Sequence, residues 1–317
     1  MHTLSDLGEQ DLIARIARAA GSSRRPGVVL GIGDDAAVLR TRAAEDFVIS
    51  TDATVEDVHF RWSTHAGRNV GRRALVSNLS DLAAMGARPV GFVLALSAPA
   101  SLTVTRFDGL ISGLLAEARD HGCPLVGGNL SSARQTVLSI TVFGAVPRGV
   151  ALRRDALRPG DRLYVTGTLG GAALALARSE RAGSRMRGCP VARLEAGRAL
   201  LRLQGHGACI DLSDGLVPDL ERLLRASRVG AELRPDCVPV PRGFSSACGR
   251  LGLDPRRLSL AGGEDYELLF SVRARTATRL SPRALSGRLG VPVSEIGQVT
   301  SGKGIAGLPE FEGYRHY

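Results

Sequence analysis

The sequence predicts an α/β protein built in two halves. Strand-like and helix-like periodicities alternate in both halves. Between them, a stretch rich in Arg, Gly and Pro from Pro147 to Gly160 breaks the apolar pattern. Acidic residues recur beside glycine at the ends of apolar runs, where α/β folds place ligand chemistry. The 317 residues suffice for two domains of ordinary size, with expected spans 1–147 and 148–317.

The first half opens with an amphipathic helix over residues 3–20, with Leu4, Leu7, Leu12, Ile13 and Ile16 apolar. Val28-Val29-Leu30 reads as a buried strand leading into Gly31-Ile32-Gly33-Asp34-Asp35, where the glycines permit a tight turn. Phe47-Val48-Ile49 is a second strand, expected to end at Ser50-Thr51-Asp52. A helix spans 69–85, striped with Val70, Ala74, Leu75, Leu79 and Leu82, and it sets Asn78 and Asp81 on one face. A strand at 90–96, a helix at 107–118 and a β-branched strand at 136–146 complete this half, with Gly127-Gly128-Asn129 between the last two.

The second half starts with a strand at 162–166. Gly167-Thr168-Leu169-Gly170-Gly171 and a small-residue helix at 172–177 follow. Glycines between a strand and a helix N-terminus suit a phosphate, and they suit close packing equally well. Residues 180–190 read as a polar loop, residues 191–203, 217–227 and 276–286 as helices, and 231–233 and 266–272 as strands. Asp211-Leu212-Ser213-Asp214-Gly215 follows an apolar run, and Gly262-Gly263-Glu264-Asp265 precedes another.

Adjacent acids repel and call for a cation. Mg²⁺ takes oxygen ligands, binding through a few carboxylates together with substrate phosphates. Scattered acids in a chain of net charge +10 therefore point to a Mg-nucleotide site assembled from distant carboxylates. Lys303 is the only lysine and lies in Ser301-Gly302-Lys303-Gly304, so no P-loop is present. The five cysteines are widely spaced without a Cys-x-x-Cys pair, which argues against zinc and disulfides and for a reducing cytoplasm. Arginines are scattered and not grouped with aromatics, so nucleic acid is not the expected partner. No apolar run approaches a membrane span, and the first residues lack a basic segment followed by an apolar one.

These motifs, in this order, resemble the thiamine-monophosphate kinases. The resemblance runs through Gly31 to Asp35, Ser50-Thr51-Asp52 with His59-Phe60, residues 78–89, Gly127-Gly128, Val165 to Thr168, Asp211 to Gly215 and Gly262 to Leu268. It covers nearly the whole chain, and the wider superfamily includes aminoimidazole ribonucleotide synthetase and selenophosphate synthetase. It implies an N-terminal mixed sheet with helices on one face, dimerising through its strands, and a C-terminal α/β sandwich domain. It also implies γ-phosphoryl transfer from ATP to thiamine monophosphate, several Mg²⁺ ions and a homodimer. Carried over by position, Asp35, Ser50, Thr51, Asp52, Asp81, Asn129, Asp211 and Asp214 stand where the family holds metals. Asp81, Asp214 and Asp35 are the residues expected to matter most for catalysis. Gly128, Asn129, Arg154 and Ser213 stand at ATP contacts, and His59, Glu264 and Phe311 at thiamine-phosphate contacts.

The chain departs from the family in places. Asn129 replaces the usual Asp and removes a negative charge, Asp57 stands where glycine is common, and Phe311 stands where tryptophan is frequent. Two other readings stay open at this level. One is another ATP-dependent small-molecule kinase or synthetase of the superfamily, and the other is a catalytically weakened nucleotide-binding homologue.

Overall fold

The computed structural model describes residues 15–16, 18–19, 28–30, 38–39, 44–186 and 188–308. The Gly31–Asp35 motif, Phe311 and most of the expected helix over 3–20 lie outside the described residues. The chain divides into two compact units. Unit 1 takes in residues up to Leu82, Arg88–Arg148 and Ser179–Cys189; unit 2 takes in Ala83–Ala87, Gly149–Arg178 and the chain from Pro190.

Unit 1 is built on a four-stranded mixed sheet. Its strands are β3 (Glu45–Val55), β4 (Arg88–Ala98), β5 (Leu125–Ser132) and β6 (Val137–Pro147), in the order β3-β6-β4-β5. β4 and β5 run parallel, and the other pairs are antiparallel. Two short strands, β1 (Val28–Leu30) and β2 (Val38–Leu39), pair separately. Helices α1 (Gly67–Ala84) and α2 (Val104–Asp120) supply the apolar stripes that face the sheet. Leu75, Leu79 and Leu82 of α1, Phe107, Leu110 and Leu114 of α2, and Phe92, Leu96, Leu138 and Ile140 of the sheet are almost fully buried. Helices thus cover one face of the sheet, as expected. The buried Glu117 of α2 ties the two helices together: it accepts from Arg72 of α1 at 2.8 Å and pairs with His121 at 3.0 Å. Burial pushes the Glu117 carboxyl up, but His121 and Arg72 outweigh it and leave it below its ordinary value.

Unit 2 is built on a six-stranded sheet. The strands are β7 (Arg162–Thr166), β8 (His206–Asp211), β9 (Gly230–Leu233), β10 (Leu268–Val272), β11 (Val293–Thr300) and β12 (Gly304–Ala306), in the order β12-β9-β11-β7-β10-β8. Helices α3 (Gly171–Ala182), α4 (Leu194–Leu201), α5 (Leu216–Ser227), α6 (Phe244–Leu251), α7 (Pro255–Ala261), α8 (Ala274–Ala277) and α9 (Pro282–Leu289) accompany it. All of β10 is buried, so apolar side chains cover both faces, as a central strand requires. Leu163, Val165 and Leu269 pack with Leu216, Leu220 and Leu223 of α5 on one side. Tyr164 and Phe270 stack at 5.6 Å on the other.

Several expectations change. The strand expected to end at Ser50-Thr51-Asp52 continues to Val55, because β6 pairs with β3 along its whole length and Asp52 sits opposite Ile140. The strand expected from residue 266 starts at Leu268, because Tyr266 has a left-handed backbone (φ +51°). The single helix expected over 276–286 is two, because Pro282 opens a new helix whose N-cap, Ser281, accepts from the Ala284 N–H at 3.2 Å. The helices α6 and α7 and the strand β11 had no expectation; their apolar residues alternate too irregularly to announce a period.

Candidate active site

In unit 1 the candidate residues fall on β3, on the last turns of α1 and on β5. Side chains alternate along a strand, so Ser50 and Asp52 share one face and Thr51 takes the other. The Ser50 hydroxyl donates to Asp81 Oδ2 at 2.5 Å, which identifies the Ser50–Asp52 face as the one looking toward α1. Three residues earlier on α1, Asn78 is 1% exposed. Its amide N–H donates to Ala74 O at 2.9 Å, and its Oδ1 has no hydrogen-bond partner. Ser50, Asp52, Asp81 and the bare Asn78 oxygen are hard oxygen donors, the chemistry Mg²⁺ selects. Among the described residues no three Asp, Glu, His or Cys side chains form a cation cage. Mg²⁺ does not demand one, since it commonly takes one or two carboxylates and completes its shell with water and phosphate.

The ladder aligns Asp52 with Ile140, Leu94 and Gly128 across the sheet. A Cβ on Gly128 would collide with the Leu94 carbonyl oxygen, so the position admits only glycine. Asn129 falls on the opposite face, the one shared by Thr51 and Ala95. There the Thr51 hydroxyl donates to Ile140 O and receives the Thr141 hydroxyl, both at 3.0 Å. The metal set expected from the sequence therefore divides by face: Ser50, Asp52 and Asp81 on the helix side, Thr51 and Asn129 on the open side. The same open face exposes Phe47 (42%) and Ile49 (61%).

His59 follows β3 in a turn closed by its own N–H to Val55 O at 2.8 Å. Its Nδ1 accepts the Val55 N–H at 3.1 Å, which assigns the ring proton of the neutral side chain to Nε2 and leaves that N–H to the exposed side. Asp57 in this turn has φ +64°. That explains why glycine suits the position, and Asp is among the side chains that tolerate it.

In unit 2, Asp211 ends β8 and is buried opposite Leu268 of β10. The next residues join the loop before β10 by backbone bonds: Leu212 N–H to Glu267 O (2.8 Å), Tyr266 N–H to Leu212 O (3.0 Å) and Glu264 N–H to Ser213 O (2.7 Å). The fold thus gathers Asp211, Ser213, Asp214 and Glu264, although about fifty residues separate the two loops. Arg154 is exposed; its neighbour Arg153 accepts the Cys209 N–H of β8 at 3.1 Å, which holds the segment along that edge strand.

Other residues support these loops. Asp219, fully buried in the first turns of α5, accepts the N–H groups of Asp214 and Gly215 at 3.1 and 3.2 Å. Arg222 pairs with both Asp214 and Asp219. Burial pushes the Asp219 carboxyl up to about 6; Arg222 opposes that shift, and the Asp214 charge adds to it. Glu267 is held by Arg193 and by the Thr166 hydroxyl at 2.6 Å. Asp219 and Arg222 carry a sequence signal, an acid and a base three apart at a helix start, but nothing local ties them to Asp214. Asp265 changes the reading of the glycine loop before α3. Its carboxylate accepts from Gly170 N–H at 2.6 Å and from Ala172 N–H at 3.0 Å, so the anion at this helix N-terminus is the chain's own.

Models of the AIR synthase related protein match the chain, the N-terminal domain over residues 33–146 and the C-terminal domain over 158–308. The thiamine-monophosphate kinase of Escherichia coli strain K12 is 36% identical over 334 residues, covering 98% of each chain. The crystal structure of thiamine-monophosphate kinase from Stenotrophomonas maltophilia K279a aligns with TM-score 0.79 and 37% identity, covering 95% of this chain and 96% of that one. A solved structure described as AaThiL complexed with AMPPCP and TMP aligns with TM-score 0.75 and 26% identity, covering 100% of this chain and 99% of that one.

Proposed function

The chain belongs to the thiamine-monophosphate kinases of the AIR synthase related family, and on that premise we propose that it transfers the γ-phosphoryl group of ATP to thiamine monophosphate, giving thiamine diphosphate and ADP. The observation that carries the reading is the contact of Ser50 with Asp81, on the strand face that also bears Asp52. Asp81, Asp52 and Ser50 would hold Mg²⁺ there, with Asp211 and Asp214 serving in unit 2 and Asp35 belonging to the same set. Thr51 on β3 and Asn129 on β5 lie on the open face at opposite edges of the sheet and are two separate further candidates. When bound, Mg²⁺ supplies charge neutralisation between two polyanionic ligands and fixes an in-line geometry.

The acceptor is a phosphate monoester with a second pKa near about 6, so at neutral pH it is mostly deprotonated already. No strong general base is required, and transfer is direct, without a phosphoenzyme. The chain's task is to bring two anions together and orient them. The Nε2–H of His59 is a donor for a phosphate oxygen, and Glu264 orients the acceptor. Gly128, Arg154 and Ser213 serve ATP, and Phe311 offers a ring face to the thiazolium cation. The exposed apolar face carrying Phe47 and Ile49 supports a homodimer formed through the N-terminal sheets. Among the described residues no helix is long and apolar enough to cross a membrane, and we place the activity in the cytoplasm.

The test is ADP release with thiamine monophosphate as acceptor, with and without Mg²⁺, for the wild type and Asp81→Ala. The expected result is Mg²⁺-dependent turnover that Asp81→Ala abolishes while its circular dichroism stays native. Turnover with another phosphoryl acceptor alone would favour a different enzyme of the superfamily, and ATP binding without turnover would favour a weakened homologue.

A further inference from the structure

The segment between α7 and β10 has an unusual backbone. Gly263, Glu264 and Tyr266 have φ of +67°, +57° and +51°, and two of the three are not glycine. Asp265 lies between the two non-glycine residues. Its carboxylate spans Gly170 N–H and Ala172 N–H, the free donors at the start of α3, and its Oδ1 faces Gly171 as well. On the other side, Glu264 N–H and Tyr266 N–H are bonded to the carbonyls of Ser213 and Leu212. The left-handed turn is therefore held from two directions, by the loop after β8 and by α3. The second hold comes from a side chain, that of Asp265. A helix of twelve residues that points its N-terminus at a carboxylate gives that hold both hydrogen bonds and dipole attraction.

We propose that Asp265 is a positioning residue. By seating its carboxylate on the N-terminus of α3 it locks the left-handed turn and aims Glu264 at the phosphate-bearing acceptor. The inference rests on the proposed role of Glu264 in binding that acceptor. It also accounts for the glycine loop before α3: the loop's N–H groups anchor an internal anion. Gly170 has φ +81°, and a Cβ there would meet the Phe244 ring, so the donor geometry depends on glycine.

Asp265→Asn keeps the size of the side chain but removes its charge and one of its two acceptor oxygens. Expected is a rise of about tenfold in KM for thiamine monophosphate, with KM for ATP and kcat within about twofold. In an Glu264→Ala background the same change should add almost nothing, because the lock acts through Glu264. Amide hydrogen exchange over residues 262–267 should quicken in Asp265→Asn, while β10 stays protected. An equal rise in both KM values, a loss in kcat alone, or additive effects with Glu264→Ala would overturn the positioning role. Unchanged exchange over 262–267 would overturn the lock itself. Should Glu264→Ala leave KM for thiamine monophosphate untouched, the acceptor role of Glu264 fails and the aim assigned to Asp265 falls with it, while quickened exchange would still separate that failure from a failure of the lock.

Discussion

Removing Arg193 should destabilise unit 2 more than removing its partner's charge. Glu267 is 6% exposed at its side chain, and Arg193 is 26% exposed. Glu267 Oε2 receives Arg193 Nε and the Thr166 hydroxyl, each at 2.6 Å, and the other oxygen receives the second guanidinium arm. Arg193→Ala leaves a buried carboxylate with one hydroxyl donor, and breaking a buried pair this way costs about 3–5 kcal/mol. Glu267→Gln leaves Arg193 able to reach water and keeps an acceptor for Thr166, so the loss is smaller, about 1–2 kcal/mol. The double variant should be more stable than Arg193→Ala alone, since it removes the uncompensated charge. At roughly 2–4 °C per kcal/mol for a unit of this size, Arg193→Ala should melt about 6–20 °C lower. Urea unfolding followed by far-ultraviolet circular dichroism reads the difference through the midpoint. A cost below about 1 kcal/mol for Arg193→Ala, or a double variant as unstable as the two singles summed, would refute the reasoning.

Three further outcomes are expected. Asn129→Asp restores a carboxylate on the open face of β5 and should lower the Mg²⁺ concentration for half-maximal ADP release by about threefold or more; an unchanged Mg²⁺ dependence would remove Asn129 from the metal set. Burial pushes Asp265 up to about 6, while its N–H donors pull the other way. A raised carboxyl contributes stability fully present below its unfolded value and lost as pH rises through the folded one. Between about pH 4 and about pH 6, wild type should therefore lose up to about 3 kcal/mol relative to Asp265→Asn in urea titrations, and parallel pH profiles for the two would contradict this. If the proposed homodimer forms through this face, Ile49→Asp puts a charge on the exposed apolar face of β3 and should halve the mass seen by light scattering while leaving circular dichroism unchanged; an unaltered mass would overturn the proposed dimer contact.

The division of labour between sequence and fold follows from the range of the interactions. Apolar periodicity is local, so the α/β character, the two halves and the helices carrying Leu75, Leu79 and Leu110 could be read directly from the chain. Acids set at the ends of apolar runs or on a helix face are local features too, some of them beside glycine, which is why Asp52, Asp81, Asp211, Asp214 and Glu264 stand out as candidates. Which way a strand residue points depends on its partner strand. Pairing with β6 carried β3 past Asp52, and the ladder through β4 put Asn129 on the face away from Ser50 and Asp52. The glycine loop before α3 looked the same in sequence whether its anion was a ligand or a side chain. Only folding brought Asp265 to it across more than ninety residues, because a helix N-terminus with free N–H groups takes whichever carboxylate the tertiary structure delivers.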